Sequence, residues 1–145
     1  KKFKIDYFLR YCADRPFLNI NLLKKNLTIL KKKQFDLITT NLKRKKIDQG
    51  LTLEIVNGNS FIQLYKNNNF NSKEKEHITK IFYKLKKTLK IKQISFHKIY
   101  SKGYRYTIDY RGDIKVINFM LKNKKVIEQN FYKIVYLYEK YFNVN

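Results

Sequence analysis

The feature that most constrains the fold of this chain is the stretch Gln93–Arg111, in which apolar and polar residues alternate on both sides of a Ser-Lys-Gly triplet. Alternation that is interrupted by a short loop predicts a β-hairpin. Gly103 ends the triplet, where three-residue hairpin loops commonly need a left-handed residue. A two-residue loop would shift the register by one residue and mix the two faces, so the three-residue loop is favoured.

The register of this hairpin separates an apolar face from a cationic face. The apolar face pairs the two arms, Tyr100 with Tyr104, Phe96 with Ile108 and Ile94 with Tyr110, and Tyr106 joins it. The opposite face carries His97, Arg105, Thr107 and Arg111. We expect the apolar face to pack against the core. The tip and the cationic face are expected to meet a ligand. An ordinary amphipathic hairpin is the alternative for this segment.

The net charge restricts the partners. The 145 residues include 33 Lys and Arg against 11 Asp and Glu, a net charge of +22. Such an excess costs self-repulsion unless a polyanion neutralises it, so it indicates nucleic acid or an anionic membrane. The apolar content of 43% is enough for a buried core. We predict an N-terminal α/β lobe over 1–72 and a C-terminal helix–hairpin–helix lobe over 73–145, or one continuous domain.

The composition also indicates an AT-rich genome. Lys, Asn, Ile, Phe and Tyr are abundant, only five of the 33 basic residues are Arg, and Trp is absent. Such genomes occur in organelles and some protists, which favours the mitochondrial matrix as the location. The single Cys12 excludes an internal disulfide and a cysteine-cluster metal site. No apolar run is long enough for a transmembrane helix.

The patterns along the chain predict an α+β fold, with two β-hairpins forming small antiparallel or mixed sheets packed against four amphipathic helices. The helices are expected at 5–13, after the cap Asn21, at about 73–90 after the capping pair Asn71 and Glu74, and at about 124–142. Short strands are expected at Phe17–Ile20 and Phe35–Thr40. The second hairpin is expected at Leu51–Tyr65 around Asn57-Gly58, a preferred type I′ turn. Residues 112–119 fit either a strand or a loop.

Catalysis finds little support in the residues. Neither His77 nor His97 has a partner at metal-binding spacing, and the four glycines form no phosphate-binding loop. Asp109 and Asp113 are four residues apart, as in a nuclease metal pair. An ion pair of an aspartate with Arg111 or Lys115 is favoured instead. We therefore predict no catalytic residue, no cofactor, no metal and no small-molecule substrate.

Binding to nucleic acid finds distributed support. Lysines supply a salt-dependent attraction to phosphates that is largely blind to sequence, and a chain without the common DNA-binding motifs suits structured RNA. The residues that we expect to contact RNA are Lys43, Arg44, Lys45, Lys46, Lys98, Ser101, Lys102, Gly103, Arg105 and Arg111. The alternative for the run at 43–46 is a solvated loop.

Two segments resemble a known family. The lysine-rich segment Asn21–Phe35 resembles the second helix of the small-subunit ribosomal protein called family eight. Lys98–Arg105 resembles that family's Ile-Ser-Lys-Pro-Gly-x-Arg segment, without the proline. The family's Ser-Thr-Ser-Lys-Gly loop does not occur here. The resemblance implies an assembly protein that binds the central domain of small-subunit ribosomal RNA.

These observations give one hypothesis and two alternatives. The hypothesis is a structural constituent of a mitochondrial ribosome, in the small subunit, that binds ribosomal RNA beside neighbouring ribosomal proteins and is not an enzyme. The first alternative is a basic peripheral accessory subunit of an organellar membrane complex. The second is a degenerate nucleic-acid enzyme.

Overall fold

A computed structural model describes residues 5–41, 47–94, 102–122 and 131–144. Its centre is a mixed sheet of four strands in the order β1-β3-β2-β4. The strand β3 lies antiparallel between β1 and β2, and β4 lies parallel to β2 at the edge. The α+β class is therefore confirmed. The elements in chain order are β1 Tyr7–Arg10, α1 Ile20–Lys32, β2 Leu37–Thr39, β3 Glu54–Asn57, α2 Gly58–Asn67, α3 Ser72–Glu76, α4 Lys80–Lys84, β4 Ile91–Gln93, α5 Arg111–Lys122 and α6 Phe131–Val144.

The side chains of the sheet alternate between two apolar clusters. In β2, Leu37 packs with the cluster beneath α2 and α4, and Ile38 packs with the cluster beneath α1. Val56 and Ile55 of β3 divide in the same way. The predicted alternation in Phe35–Thr40 is thus confirmed. A third cluster joins Tyr106 to the inward faces of α5 and α6.

The first helix that we predicted, over 5–13, is wrong. Tyr7–Arg10 forms the strand β1 and pairs with β3 along its whole length. Tyr7 packs on the α1 side of the sheet and Phe8 on the α2 side. The same residues satisfy a period of two as well as a helical period, so backbone pairing with β3 decides the outcome. The predicted strand at Phe17–Ile20 is also wrong, because Asn19 caps α1 there.

The hairpin that we predicted around Asn57-Gly58 is wrong. Asn57 ends β3, and its side-chain oxygen accepts a hydrogen bond from the Ser60 N–H at 2.9 Å, so it caps α2. The Gly58 N–H donates to the backbone carbonyl of Asp6 at 2.9 Å, and a Cβ at Gly58 would lie 2.4 Å from the carbonyl oxygen of Ile5. Asparagine therefore serves as an N-cap here, and glycine permits contact with β1.

The described parts of Gln93–Arg111 do not form the predicted hairpin. Gln93 belongs to β4, which pairs with β2. Arg105 makes a parallel bridge to Gln49. The predicted pair of Ile94 and Tyr110 is not formed, since Ile94 is buried and donates its N–H to the carbonyl of Thr39, whereas Tyr110 is 67% exposed. The remaining predicted pairs include residues 95–101, which lie outside the described residues.

The other helices agree in part with the predictions. The capping pair Asn71 and Glu74 is confirmed as a reciprocal capping box. The helix predicted over 73–90 is divided into α3 and α4, followed by turns that lead into β4. Residues 112–119 form neither a strand nor a loop, since they lie within α5. The part of the last predicted helix from 131 to 142 is confirmed by α6.

No helix in the described part of the chain is long and apolar enough to cross a membrane. The division into lobes over 1–72 and 73–145 stays a prediction.

We expect Gly58→Ala to lower the free energy of unfolding by about 1–3 kcal/mol, because the added methyl group must displace the backbone at Ile5. The matched control is Gly112→Ala in α5, where nothing lies within 4 Å of an added Cβ. That substitution should raise the free energy of unfolding by up to about 1 kcal/mol, since alanine favours a helix. Urea unfolding measures both values, and equal effects would contradict the close packing of Gly58.

Candidate functional site

The strands β1, β2 and β4 run in one direction, so their carboxyl ends lie at the same end of the sheet. We call this end the carboxyl edge. In open sheets with parallel strands, ligands bind outside this edge. The loop after β1, residues 11–16, contains Asp14 and Arg15. The loop that precedes β3 contains Gln49 and Thr52. We therefore take this edge as the candidate functional site.

One hydrogen bond joins a distant segment to this edge. The backbone N–H of Ile108 donates to the carbonyl oxygen of Asp14 at 2.9 Å. Asp109 follows Ile108, and its Oδ2 accepts from the Thr107 hydroxyl at 2.6 Å and from Gln49 Nε2 at 3.4 Å. The chain thus places Asp14 and Asp109 on two adjacent segments, although they are 95 positions apart in the sequence.

Two side chains of the loop after β1, an arginine and a tyrosine, each have a buried polar atom without a hydrogen-bond partner. Arg15 donates from Nη1 to the Thr52 hydroxyl, and its Nε is buried with no hydrogen-bond partner. The Tyr11 hydroxyl is also buried with no partner, and burial raises the pKa of Tyr11 to about 12. The charges of Arg15 and Asp14 act on that hydroxyl with opposite sign. This loop therefore holds an arginine with only part of its donors engaged, and a guanidinium suits an anionic ligand.

A buried ionic network supports the edge from beneath. Glu54 at the start of β3 is 4% exposed. Its Oε2 accepts from Arg10 Nη1 and from the Thr79 hydroxyl, both at 2.9 Å, and its Oε1 accepts from the Tyr83 hydroxyl. Burial, followed by the charge of Glu54, raises the pKa of Tyr83 well above its usual value. Both carboxylate oxygens of Glu54 accept hydrogen bonds, and the network joins β1, β3 and α4. We therefore assign it a positioning role.

Asp113 fixes the start of α5 beside Asp109. Its Oδ2 accepts from the backbone N–H groups of Asp109 at 2.9 Å and Tyr110 at 2.8 Å, and its Oδ1 pairs with Arg105 at 2.6 Å. Burial alone would raise the pKa of Asp113, but these backbone bonds and Arg105 outweigh it and lower that pKa. The ion pair that we expected with Arg111 or Lys115 is thus made with Arg105, and Asp113 serves structure.

Asp48 holds the segment that leads to Arg105. Asp48 is 3% exposed, and its Oδ1 accepts from the Gly103 N–H at 2.8 Å. Burial raises its pKa, although hydrogen bonds from the backbone of residues 102–104 oppose the rise. Next to it, Gly50 has a φ of +92°, and a Cβ there would lie 2.5 Å from the carbonyl oxygen of Tyr106. This close contact needs glycine and keeps residues 105–109 beside the edge.

A separate groove of about 870 Å³ lies at the opposite end of the sheet, between α1 and the start of α2. Its polar groups largely hold structural elements together. Asp36, for example, accepts from the Ser60 hydroxyl and from the Lys90 N–H. The groove lies at the amino ends of β1 and β2, so the carboxyl edge is the better candidate.

Of the ten residues that we predicted to bind RNA, four lie in the described part of the chain. Lys43, Arg44, Lys45, Lys46, Lys98 and Ser101 lie outside the described residues. Lys102 pairs with Glu139 of α6, Gly103 is exposed with a φ of +80°, and Arg105 pairs with Asp113. Arg111 is exposed as the first residue of α5. An RNA contact of these residues stays untested.

Sequence reasoning missed Asp14, Arg15, Gln49 and Glu54. The available signal for Asp14 and Arg15 was a charged pair a few positions after the apolar residues 7–9. That signal has meaning only if residues 7–10 form a strand, whereas we expected a helix there.

Comparisons with known proteins give a fold. The sequence matches no family model and no curated protein. The structure is similar to that of a cytidylyltransferase from Leptospira borgpetersenii serovar Hardjo-bovis strain JB197, with a TM-score of 0.82 and 18% sequence identity. The match covers 97% of this chain and 58% of the cytidylyltransferase chain. The chain thus spans little more than half the length of that protein.

This likeness corrects the functional hypothesis. The resemblance to ribosomal protein family eight and the role as a ribosomal constituent are wrong, because nearly the whole chain has the fold of a cytidylyltransferase. The same finding contradicts the prediction that the chain is not an enzyme. Ribosomal RNA and ribosomal proteins thereby lose their support as partners. The alternative of a nucleic-acid enzyme agrees better with the likeness, and the mitochondrial location stays a prediction.

We expect Asp113→Asn to lower the free energy of unfolding at neutral pH and to flatten its dependence on pH in acid. Because the folded pKa of Asp113 is lowered, its contribution is complete above the ordinary value of about 3.9 and is lost as pH falls through the folded value. Urea unfolding over a pH series measures the slope. Arg105→Gln should flatten the slope partly, since Arg105 is one of several causes. Equal slopes in the parent chain and Asp113→Asn would contradict this role.

Proposed function

We propose that this chain provides part of a nucleotidyl-transfer site and that its nucleotide substrate is CTP. The observation that carries the proposal is the likeness to a cytidylyltransferase over 97% of this chain. The carboxyl edge supports it, because Asp14, Arg15 and Asp109 lie on segments at this edge, outside which sheets of this kind bind ligands. The reaction would join an acceptor oxygen to the α-phosphorus of CTP and break the bond to pyrophosphate.

The residues at this edge suit phosphoryl chemistry, in which positioning and charge stabilisation supply most of the catalysis. A guanidinium has five N–H donors in a planar fork, and Thr52 accepts only one of those of Arg15. We assign Arg15 to the phosphates of the nucleotide. The saturated network around Glu54 keeps the strand ends in place beneath it.

Nucleoside triphosphates carry magnesium, which proteins usually hold through one or two carboxylates together with phosphate oxygens. Asp14 and Asp109 fit this donor set, because both supply carboxylate oxygens and lie on segments joined at 2.9 Å. Within the described ranges, no three His, Cys, Asp or Glu side chains form a metal-binding group. Asp14 and Asp109 would hold the ion, which supplies charge neutralisation when bound.

The proposal is tested by calorimetric binding of CTP, UTP and ATP to the whole chain, with and without magnesium. We expect CTP to bind most tightly. Arg15→Ala should weaken binding about tenfold with or without magnesium, because a charge-assisted hydrogen bond is lost. Asp109→Asn should weaken only the magnesium-dependent part, and it can still accept from Thr107.

The matched control is Asp6→Asn, an exposed carboxylate at the other end of the sheet. It should leave CTP binding unchanged. Equal effects of Asp6→Asn and Asp109→Asn, or no binding of CTP by the parent chain, would refute the proposal. Cleavage of single-stranded RNA or DNA that is abolished by Asp109→Asn would favour the nucleic-acid enzyme instead.

A further inference from the structure

A second cavity lies beside residues 105–109, and Asp14 does not line it. Its volume is about 370 Å³, and it lies between the first turn of α5 and the second half of α6. Ligand pockets in proteins commonly begin near this size. The cavity shares Thr107 with the segment at the candidate site, but none of the residues of the loop after β1 line it.

One wall of this cavity is aromatic. Tyr138, Tyr141 and Phe142 line it, with ring centroids 5.0 Å apart for Tyr138 and Phe142 and 5.1 Å apart for Tyr141 and Phe142. The wall is rigid at its inner end, because Tyr138 stacks on Tyr104 at 4.7 Å. At its outer end Phe142 is 55% exposed. An exposed ring beside an open cavity offers a stacking surface to a flat ligand.

The opposite rim is cationic. Lys115 is exposed on α5, and Arg105 lies 4.7 Å over the ring of Tyr110 while it pairs with Asp113. The carboxylate of Asp113 also lines the cavity, but Arg105 and two backbone N–H groups already neutralise it. At Gly112 nothing lies within 4 Å of an added Cβ, so a ligand can approach the backbone there. The rim therefore suits an anion.

We propose that this cavity is a second binding site, for a nucleoside monophosphate, separate from the transfer site at the carboxyl edge. The ring of the ligand stacks on the exposed ring of Phe142, and its phosphate meets Lys115 at the start of α5. The combination of an exposed aromatic ring and a cationic rim at a small cavity selects a ligand that has both parts. The inference does not rest on the proposed transfer activity.

Binding of cytidine 5′-monophosphate to the whole chain, followed by backbone NMR shifts, tests this site. Cytidine and inorganic phosphate are titrated separately as controls, because each contains one half of the ligand. We expect the monophosphate to shift the resonances of Gly112, Lys115 and Phe142 without magnesium, and each half to bind at least about tenfold more weakly. Asp109→Asn should leave this binding unchanged, which separates the result from the test of the transfer site.

Two variants with matched controls locate the ligand. Lys115→Gln should raise the Kd about tenfold, whereas Lys86→Gln, which removes an exposed lysine elsewhere, should not. Phe142→Ala should raise the Kd about threefold to tenfold, whereas Tyr136→Ala, which removes another exposed ring of α6, should not. Both target side chains are exposed, so the variants are expected to fold.

Three outcomes would overturn the proposal. The first is the absence of shifts around the cavity. The second is an equal effect of Lys115→Gln and Lys86→Gln, which would indicate attraction to the overall charge. The third is binding of inorganic phosphate as tight as that of the monophosphate with no effect of Phe142→Ala, which would show that the site does not recognise a ring.

Discussion

The strand β3 is the constraint on which the rest of the structure depends. It forms hydrogen bonds with strands on both sides, and Glu54, Ile55 and Val56 are all buried. A buried strand must satisfy its backbone groups, so β1 and β2 are held in one register through it. Its two ends then fix different parts of the molecule. Glu54 joins Arg10 to α4 at the carboxyl edge, and Asn57 begins α2 at the other edge.

The carboxyl edge is completed by a segment from far along the chain. Ile108 reaches Asp14 through one backbone hydrogen bond, and Tyr106 reaches Gln49 through another of 2.9 Å. Asp48 and Gly50 hold this segment from beneath, one by a buried carboxylate and the other by the absence of a side chain. The two proposed ligand sites both adjoin this short segment. A change that displaces residues 105–109 would therefore be expected to affect both.

Much of the fold follows from local chemistry, and the errors arise where tertiary contacts decide. The alternation of Leu37 and Ile38 and the capping box of Asn71 and Glu74 are local signals, and both are confirmed. The pair Asn57-Gly58 is typical of a hairpin turn and also of a helix start. The contact of Gly58 with the backbone just before β1 distinguishes the two. In the same way, residues 7–10 fit a helix or a strand until β3 is present as a partner.

The candidate site was harder to predict than the fold because its members share no local pattern. Asp14 and Asp109 acquire a common location only through the sheet topology. The lysines, in contrast, dominate the sequence, but those in the described residues do not form one surface. Exposed lysines of α1, such as Lys24 and Lys25, cover the side of the sheet opposite to those of 73–90, such as Lys80 and Lys86.

A charge that covers both sides of the sheet is weak evidence for one docking surface. It raises the local concentration of anions around the whole chain, and it does not select where they bind. Selection requires groups that converge on one place, and the described residues offer this at the carboxyl edge and at the cavity beside Phe142. The charge excess is therefore consistent with binding of an anionic ligand at either place. The positions of Asp14, Arg15 and Asp109, rather than the number of lysines, make the carboxyl edge the candidate site.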